Sequence, residues 1–265
     1  MHDQRSNEVE DAPPPPGSPT RLFIVAGCLL AAIAGLLNTA LLALGHEAVT
    51  HLTGILSRLS ADAAEWTAVD GVKLTAIIAS FFLGAVLTGI LLDRSDFAPH
   101  RRYDRVILLE AALLFLAWFL YDRSSTAMLA LAATAAGLQN AMFAQYAGLV
   151  IRTTHLTGVI TELAFLVGQA IRRRHANFWQ FGLLSLLLLG FMAGGAAGVF
   201  AADRFQRHVL LIPASILLLA AAVYATIRQV HVRHQPQSDD HRAGRSSDAP
   251  TANDSPKPRR ESRHP

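Results

Sequence analysis

Apolar residues in this chain gather in long, nearly uncharged blocks. A helix that crosses a bilayer needs about 20 mainly apolar residues. Six stretches reach or approach that length: Leu22–Gly45, Leu74–Leu92, Val106–Tyr121, Thr126–Ile151, Trp179–Ala202 and Val209–Ile227. The first two hold no charged side chain, and the third contains Glu110. The fourth carries Gln139, Asn140 and Gln145, the fifth is rich in glycine, and the sixth contains Pro213. A proline is tolerated in a span when neighbours satisfy the carbonyl it frees. The pattern predicts an all-α integral membrane domain of six transmembrane helices over residues 22–227.

The ends of the chain read differently. Residues 1–21 include the run Pro13–Pro16, and residues 228–265 are strongly polar. Neither bury enough apolar surface to offset ordering entropy, so both are expected to be disordered tails. Leu22–Gly45 is too long for the apolar region of a cleaved signal, and acidic residues (Asp3, Glu8, Glu10, Asp11) precede it. It reads as a retained first span.

Orientation follows the basic residues near span ends. With a cytoplasmic N-terminus, the inner segments hold Arg5, Arg21, Arg94, Arg101, Arg102, Arg105, Arg152, Arg172, Arg173, Arg174, Arg228, Arg233, Arg242 and Arg245. The outer segments hold only Arg58, Lys73, Arg123, Arg204 and Arg207. Fourteen against five predicts both termini on the cytoplasmic side of a bacterial inner membrane.

Self-similarity changes the picture further. Ala34-Gly35-Leu36-Leu37-Asn38 resembles Ala136-Gly137-Leu138-Gln139-Asn140. Downstream of each comes the same tetrapeptide, His51-Leu52-Thr53-Gly54 and His155-Leu156-Thr157-Gly158. Phe81-x-x-Gly84 and Asp93-Arg94 then match Phe191-x-x-Gly194 and Asp203-Arg204. Three matches in one order predict two repeats, about 22–121 and 126–227. Each has three spans, so the second copy enters from the opposite side. Such inverted repeats are common in secondary transporters, where the solute site lies near the midplane between repeats. Small residues at four-residue spacing (Gly190, Gly194 and Gly198; Ser80, Gly84 and Thr88; Ala31, Gly35 and Thr39; Ala133, Gly137 and Ala141) predict close-packed helix faces.

Candidate binding groups sit on this frame. Each Thr-Gly pair reads as a helix start or break, because threonine caps and glycine permits unusual backbone angles. Free N–H groups there suit a polar or anionic ligand, though a simple capped turn has the same signature. An amphipathic stretch with Ile160, Leu163, Val167 and Ile171 follows the second pair. Asn38, Gln139 and Asn140 are amides within spans and are expected to face the interior, as solute ligands or as glue between helices. Arg152 ends the fourth span and suits an anion. Glu110 is an intramembrane carboxylate and thus a proton-coupling candidate, but Arg102 and Arg105 nearby favour an ion pair at the membrane surface.

Composition narrows the alternatives. The chain is 52% hydrophobic and 16% charged with a net charge of +3, and its basic residues are scattered over loops and tails. That excludes the contiguous basic face a nucleic-acid partner needs. The single cysteine, Cys28, excludes an internal disulfide framework and a multi-cysteine metal site. His46-Glu47-x-x-x-His51 differs from the zinc-protease motif by one residue, which turns the two histidines off a common helix face. No nucleophile elbow or phosphate loop appears, so no enzyme, metal or cofactor is expected.

These motifs resemble the YoaK-type bacterial inner-membrane proteins, a permease-like family whose domain is of unknown function. The resemblance rests on Gly35-x-x-Asn38, Thr53-Gly54, Gly137-Leu138-Gln139-Asn140-Ala141, the run Arg152–Gly158 and the glycine-rich fifth span, and covers about residues 22–227. Members of that family commonly carry an acidic residue where Asn38 stands and asparagine where Ile55 stands. The resemblance implies an inner-membrane location and supplies no substrate. Together these readings predict a secondary transporter for a small polar or anionic solute. Its expected ligand-binding residues are Asn38, Gln139, Asn140, Arg152, His51, Thr53, His155 and Thr157. The rival expectation is a non-transporting scaffold or sensor whose polar groups only hold helices together. The expected partners are the lipid bilayer and the solute, and six spans leave room for a homodimer.

Overall fold

The computed structural model describes residues 20–65, 68–92, 102–142, 154–173 and 178–233. Among these residues the regular elements are all helical: α1 (Thr20–Ala43), α2 (Leu52–Glu65), α3 (Ala68–Leu91), α4 (Tyr103–Leu120), α5 (Ser125–Met142), α6 (Leu156–Arg173), α7 (Phe178–Phe205) and α8 (Leu211–Arg233). A 3-10 turn, Gln206–Leu210, joins the last two. The described part of each of the six apolar blocks falls mainly in a separate helix: α1, α3, α4, α5, α7 and α8. The two remaining helices, α2 and α6, begin at the two His-Leu-Thr-Gly motifs.

Among the described residues three segments are long and apolar enough to cross a bilayer: Phe23–Ala43, Gly71–Leu91 and Phe178–Gln229, the last running through α7 and α8. The remaining two blocks fall below that standard for a physical reason. Helix α4 carries Asp104, Arg105 and Glu110, and α5 carries Gln139 and Asn140, all of which lower its apolar character. Large apolar side chains nevertheless cover the outside of the molecule. Phe82, Ile90, Phe200 and Leu219 are each more than two-thirds exposed. An outward apolar surface of this extent belongs against lipid or another apolar partner, not water.

Helix α1 ends in a Schellman turn. Gly45 takes φ +79°, and the N–H groups of His46 and Gly45 donate to the carbonyls of Leu41 and Leu42 at 2.9 and 3.0 Å. Glycine is needed there because the left-handed region is costly for other residues.

Two helix pairs form the tightest contacts, α1 with α7 and α3 with α5. Both rest on backbone touching backbone. A Cβ on Gly35 would overlap the Phe191 carbonyl, and one on Gly194 would overlap that of Ala32. The second pair repeats this: Gly137 faces the Phe81 carbonyl and Gly84 that of Thr134. A threonine locks each seam. The Thr39 hydroxyl lies 2.9 Å from the Gly35 carbonyl and 2.7 Å from that of Gly195. Thr88 lies 3.3 Å from the Gly84 carbonyl and 3.0 Å from that of Leu138.

Helix directions follow from these contacts. Cys28 meets Gly190 and Leu36 meets Gly198, so α1 and α7 run parallel. Gly84 meets Thr134 and Thr88 meets Leu138, so α3 and α5 do too. Helix α4 packs on both α5 and α8. Asp104 reaches Arg228 while Trp118 lies beside His208, so α4 and α8 are antiparallel. Helices α2 and α6 pack on α3 and α7. In α6 the residues turned inward are Val159 and Leu166, whereas Ile160, Val167 and Ile171 face out.

Candidate functional site

Asn38 lies in the last third of α1 and is 8% exposed. Its Oδ1 accepts two hydrogen bonds from Thr50, from the backbone N–H at 3.2 Å and the hydroxyl at 2.8 Å. This ties the connection after α1 back to the helix and sets where α2 begins. Asn140, 7% exposed, does the same in α5: its Oδ1 accepts from the Thr154 hydroxyl at 2.8 Å. Each threonine directly precedes a His-Leu-Thr-Gly motif, so the shared sequence is really the pentapeptide Thr-His-Leu-Thr-Gly.

The next residue is again placed alike. His51 and His155 precede the first residues of α2 and α6, and their carbonyls accept from Ile55 at 3.3 Å and Val159 at 3.1 Å. Their rings lie over the glycines three residues on. A Cβ on Gly54 would come within 2.6 Å of His51 Cδ2, and one on Gly158 within 2.5 Å of His155 Nδ1. A side chain at either glycine would meet the ring of an exposed histidine, which can swing aside, so space favours glycine here and backbone angle plays no part. Both histidines are exposed, as are Thr53 and Thr157, whose carbonyls accept from Ser57 and Thr161 at 2.9 and 2.8 Å.

Of the eight expected ligand-binding residues, the seven that are described divide into an interior and an exposed set. Gln139 donates from Nε2 to the Leu30 carbonyl at 2.8 Å, joining α5 to α1. Asn38, Gln139 and Asn140 are interior, whereas His51, Thr53, His155 and Thr157 lie on the outer side of the helix starts. Arg152 lies outside the described residues, as do Gln145, Asp93-Arg94, residues 1–19 and residues 234–265. The residues missed in sequence are Thr50 and Thr154. Extending the repeated tetrapeptide by one position identifies both.

Glu110 departs from the ion pair favoured in sequence. It is 2% exposed, on the buried face of α4 with Val106, Ile107, Ala111 and Leu114. Its Oε2 has no hydrogen-bond partner among the described residues. Arg102 and Arg105 are both exposed.

Polar groups collect at the two ends of the bundle. At one end Glu47 pairs with Arg58 at 2.5 Å and Lys73 at 3.3 Å. Beside it His46 Nε2 lies 3.2 Å from the Tyr121 hydroxyl and its Nδ1 lies 3.4 Å from Ser125 Oγ. Burial and the Lys73 ammonium hold the His46 imidazole below the usual histidine range, with Glu47 partly opposing them. Arg207 pairs with Asp122 at this end too. His46 and His51 thus serve different neighbours. At the other end Arg228 pairs with Asp104 at 3.2 Å, both side chains being mostly buried, and the rings of Tyr103 and Tyr224 meet edge to face.

Comparison with known proteins supplies one match. A family model described as "Protein of unknown function (DUF1275)" matches residues 26–223. No curated protein and no solved structure matches the chain.

Proposed function

The chain belongs to the DUF1275 family of proteins of unknown function, and from that premise we propose that it is a permease for a small polar or anionic solute. In this reading six helices cross the bacterial inner membrane as two inverted three-helix repeats, with both termini cytoplasmic. The narrower likeness to YoaK-type members rests on the motifs quoted above.

One observation carries the reading. Asn38 with Thr50 and Asn140 with Thr154 are the same hydrogen bond made in each half, next to a helix break of the same sequence. Helix directions agree with it. Strict alternation of six crossings makes the first and fifth parallel, the second and fourth parallel, and the third and sixth antiparallel. Those are the directions of α1 with α7, α3 with α5, and α4 with α8.

The packing also supports a path between two bodies. Glycine contacts make each of the pairs α1–α7 and α3–α5 a tight unit. Gln139 bridges the two units, from α5 to the Leu30 carbonyl of α1. Rocking of one unit against the other is how inverted-repeat transporters expose a midplane site to each side in turn. Arg152 adds a positive charge next to the second break and suits an anionic solute.

Melting of the detergent-purified protein against a panel of metabolites tests this. A ligand that binds only the folded state raises its apparent stability. Support is a concentration-dependent rise that is lost in a well-folded Asn140→Ala variant, followed by uptake of that compound into proteoliposomes. A scaffold is the second reading, favoured by the fact that Asn38, Gln139 and Asn140 are each already bonded to a protein group. It predicts no rise with any compound and a lower melting temperature for Asn140→Ala.

A further inference from the structure

Glu110 is the buried ionisable side chain that the foregoing reading leaves without a task. Its surroundings follow from the packing. The connection at residues 121–124 is short, so counting back from it along α4 and forward along α5 brings Glu110 level with Ala135. On α8, interpolation between Tyr103 beside Tyr224 and Trp118 beside His208 brings it level with about Leu217. Ala132, Thr134, Ala135, Leu217 and Ala221 are all buried at these levels. The one polar side chain among them, Thr134, donates its hydroxyl to the Ala130 carbonyl at 2.9 Å.

The charged and titratable neighbours lie elsewhere. Helix α5 contains none. From α8 come Tyr224 and Arg228, the latter already paired with Asp104. From the 3-10 turn come Arg207 and His208, both exposed. On α4 itself Tyr103 and Asp104 stand about 9 Å or more along the axis at 1.5 Å per residue, and Arg105 is exposed. An unpaired carboxylate among alkyl groups is strongly disfavoured, so the acid rests there in its neutral, protonated form. A hard metal cation would need several oxygen ligands, and this stretch of α4, α5 and α8 presents only one carboxyl group. The ligand chemistry that fits is a single proton.

We propose that Glu110 is a proton-binding site within the bundle, and that solute movement is coupled to the proton it takes up and releases. The coupling rests on the permease reading. The proton site itself does not.

A hydrophobic carbodiimide tests the site, because it adds to a protonated carboxyl group inside an apolar region. The probe is dicyclohexylcarbodiimide, applied to the full chain in detergent between pH 6 and pH 10 and read by peptide mass. The expected result is one adduct on Glu110, falling several-fold as pH rises and absent in Glu110→Gln. Because the amide mimics the neutral acid, Glu110→Gln is expected to melt no lower than the parent protein. Three results overturn the proposal: no adduct at any pH, an adduct whose yield ignores pH, or a Glu110→Gln variant that melts well below the parent. The last would reveal an ionised, paired carboxylate. A titrating adduct without any solute-induced rise in melting keeps the proton site and removes the permease reading. A solute-induced rise with Glu110 unlabelled removes the site alone.

Discussion

Gly35 in α1 lies directly against the carbonyl of Phe191 in α7, and Gly137 in α5 lies in the same way against that of Phe81 in α3. Neither glycine has room for a Cβ, and the obstacle in each case is backbone, which cannot swing aside. Close approach of this kind gives dispersion contact that larger residues would hold apart, and dispersion is a main source of helix association in lipid. Gly35→Val or Gly137→Val is expected to cost about 1–3 kcal/mol, the range for overpacking a filled interface. Gly89 and Gly168 have nothing within 4 Å of a built Cβ, so alanine there is expected to leave the protein close to its parent. Melting temperatures of the four variants in one detergent decide the matter. Equal losses at Gly137 and Gly89 would contradict the packing described.

The Asn38–Thr50 bond is testable by pairwise substitution. Leaving a buried donor or acceptor unsatisfied costs about 1–3 kcal/mol, so Asn38→Ala and Thr50→Val should each lower stability. If they act through one interaction, the double variant loses less than the sum of the singles. The corresponding cycle at Asn140 and Thr154 should show coupling of the same sign. Additive losses in both cycles would mean that the bonds contribute nothing of their own.

His46 sets an expectation for pH. Its folded-state value lies below the usual histidine value of 6.5, so the unfolded chain binds the proton more readily. Stability is therefore highest above that value and declines as pH falls from it towards the lower folded-state value. In His46→Gln this part of the acid sensitivity is expected to vanish. Removing one opposing charge with Lys73→Gln should move the decline to lower stability loss over the same range. Unfolding followed from pH 8 to pH 5 reads all three proteins, and identical slopes would rule the assignment out.

Asp104 and Arg228 hold the ends of α4 and α8 together with side chains 17% and 20% exposed. Removing one partner strands the other in a largely dry site. A loss of about 1.5–3 kcal/mol is expected for Asp104→Ala or Arg228→Ala, as for hydrogen bonds to charged groups. Arg228→Lys should recover only part of it, since lysine lacks the guanidinium fork. Full recovery in lysine would indicate a loose surface pair.

Much of the helical frame was legible because block length and repeat are coarse signals. The positions of α1 to α8 need only the apolar runs and the two Thr-Gly breaks. Side-chain direction is finer and was harder to see. Arg105 looks like a partner for Glu110 along the chain, yet five residues turn a helix about 140° past its starting face, which sends the arginine outward. In α6 the amphipathic stretch read through Ile160, Leu163, Val167 and Ile171 splits: Leu163 packs against the core beside the buried Val159 and Leu166, whereas Ile160, Val167 and Ile171 face out. The sequence marks the amphipathic stripe without saying whether protein or lipid covers it. Asn38 and Asn140 were visible as an equivalent pair. Their partners were not, because Thr50 and Thr154 stand one residue outside the repeat as first delimited.

The α1–α7 seam has a practical consequence. Where it passes Gly190, the backbone on the α1 side is that of Cys28, half-buried and the sole cysteine of the chain. The unaltered protein thus carries its own attachment point beside the seam. A spectroscopic label carried on that half-buried thiol reports on the surroundings of the seam, with no cysteine engineered in and no other sulfhydryl in the chain to confuse the reading.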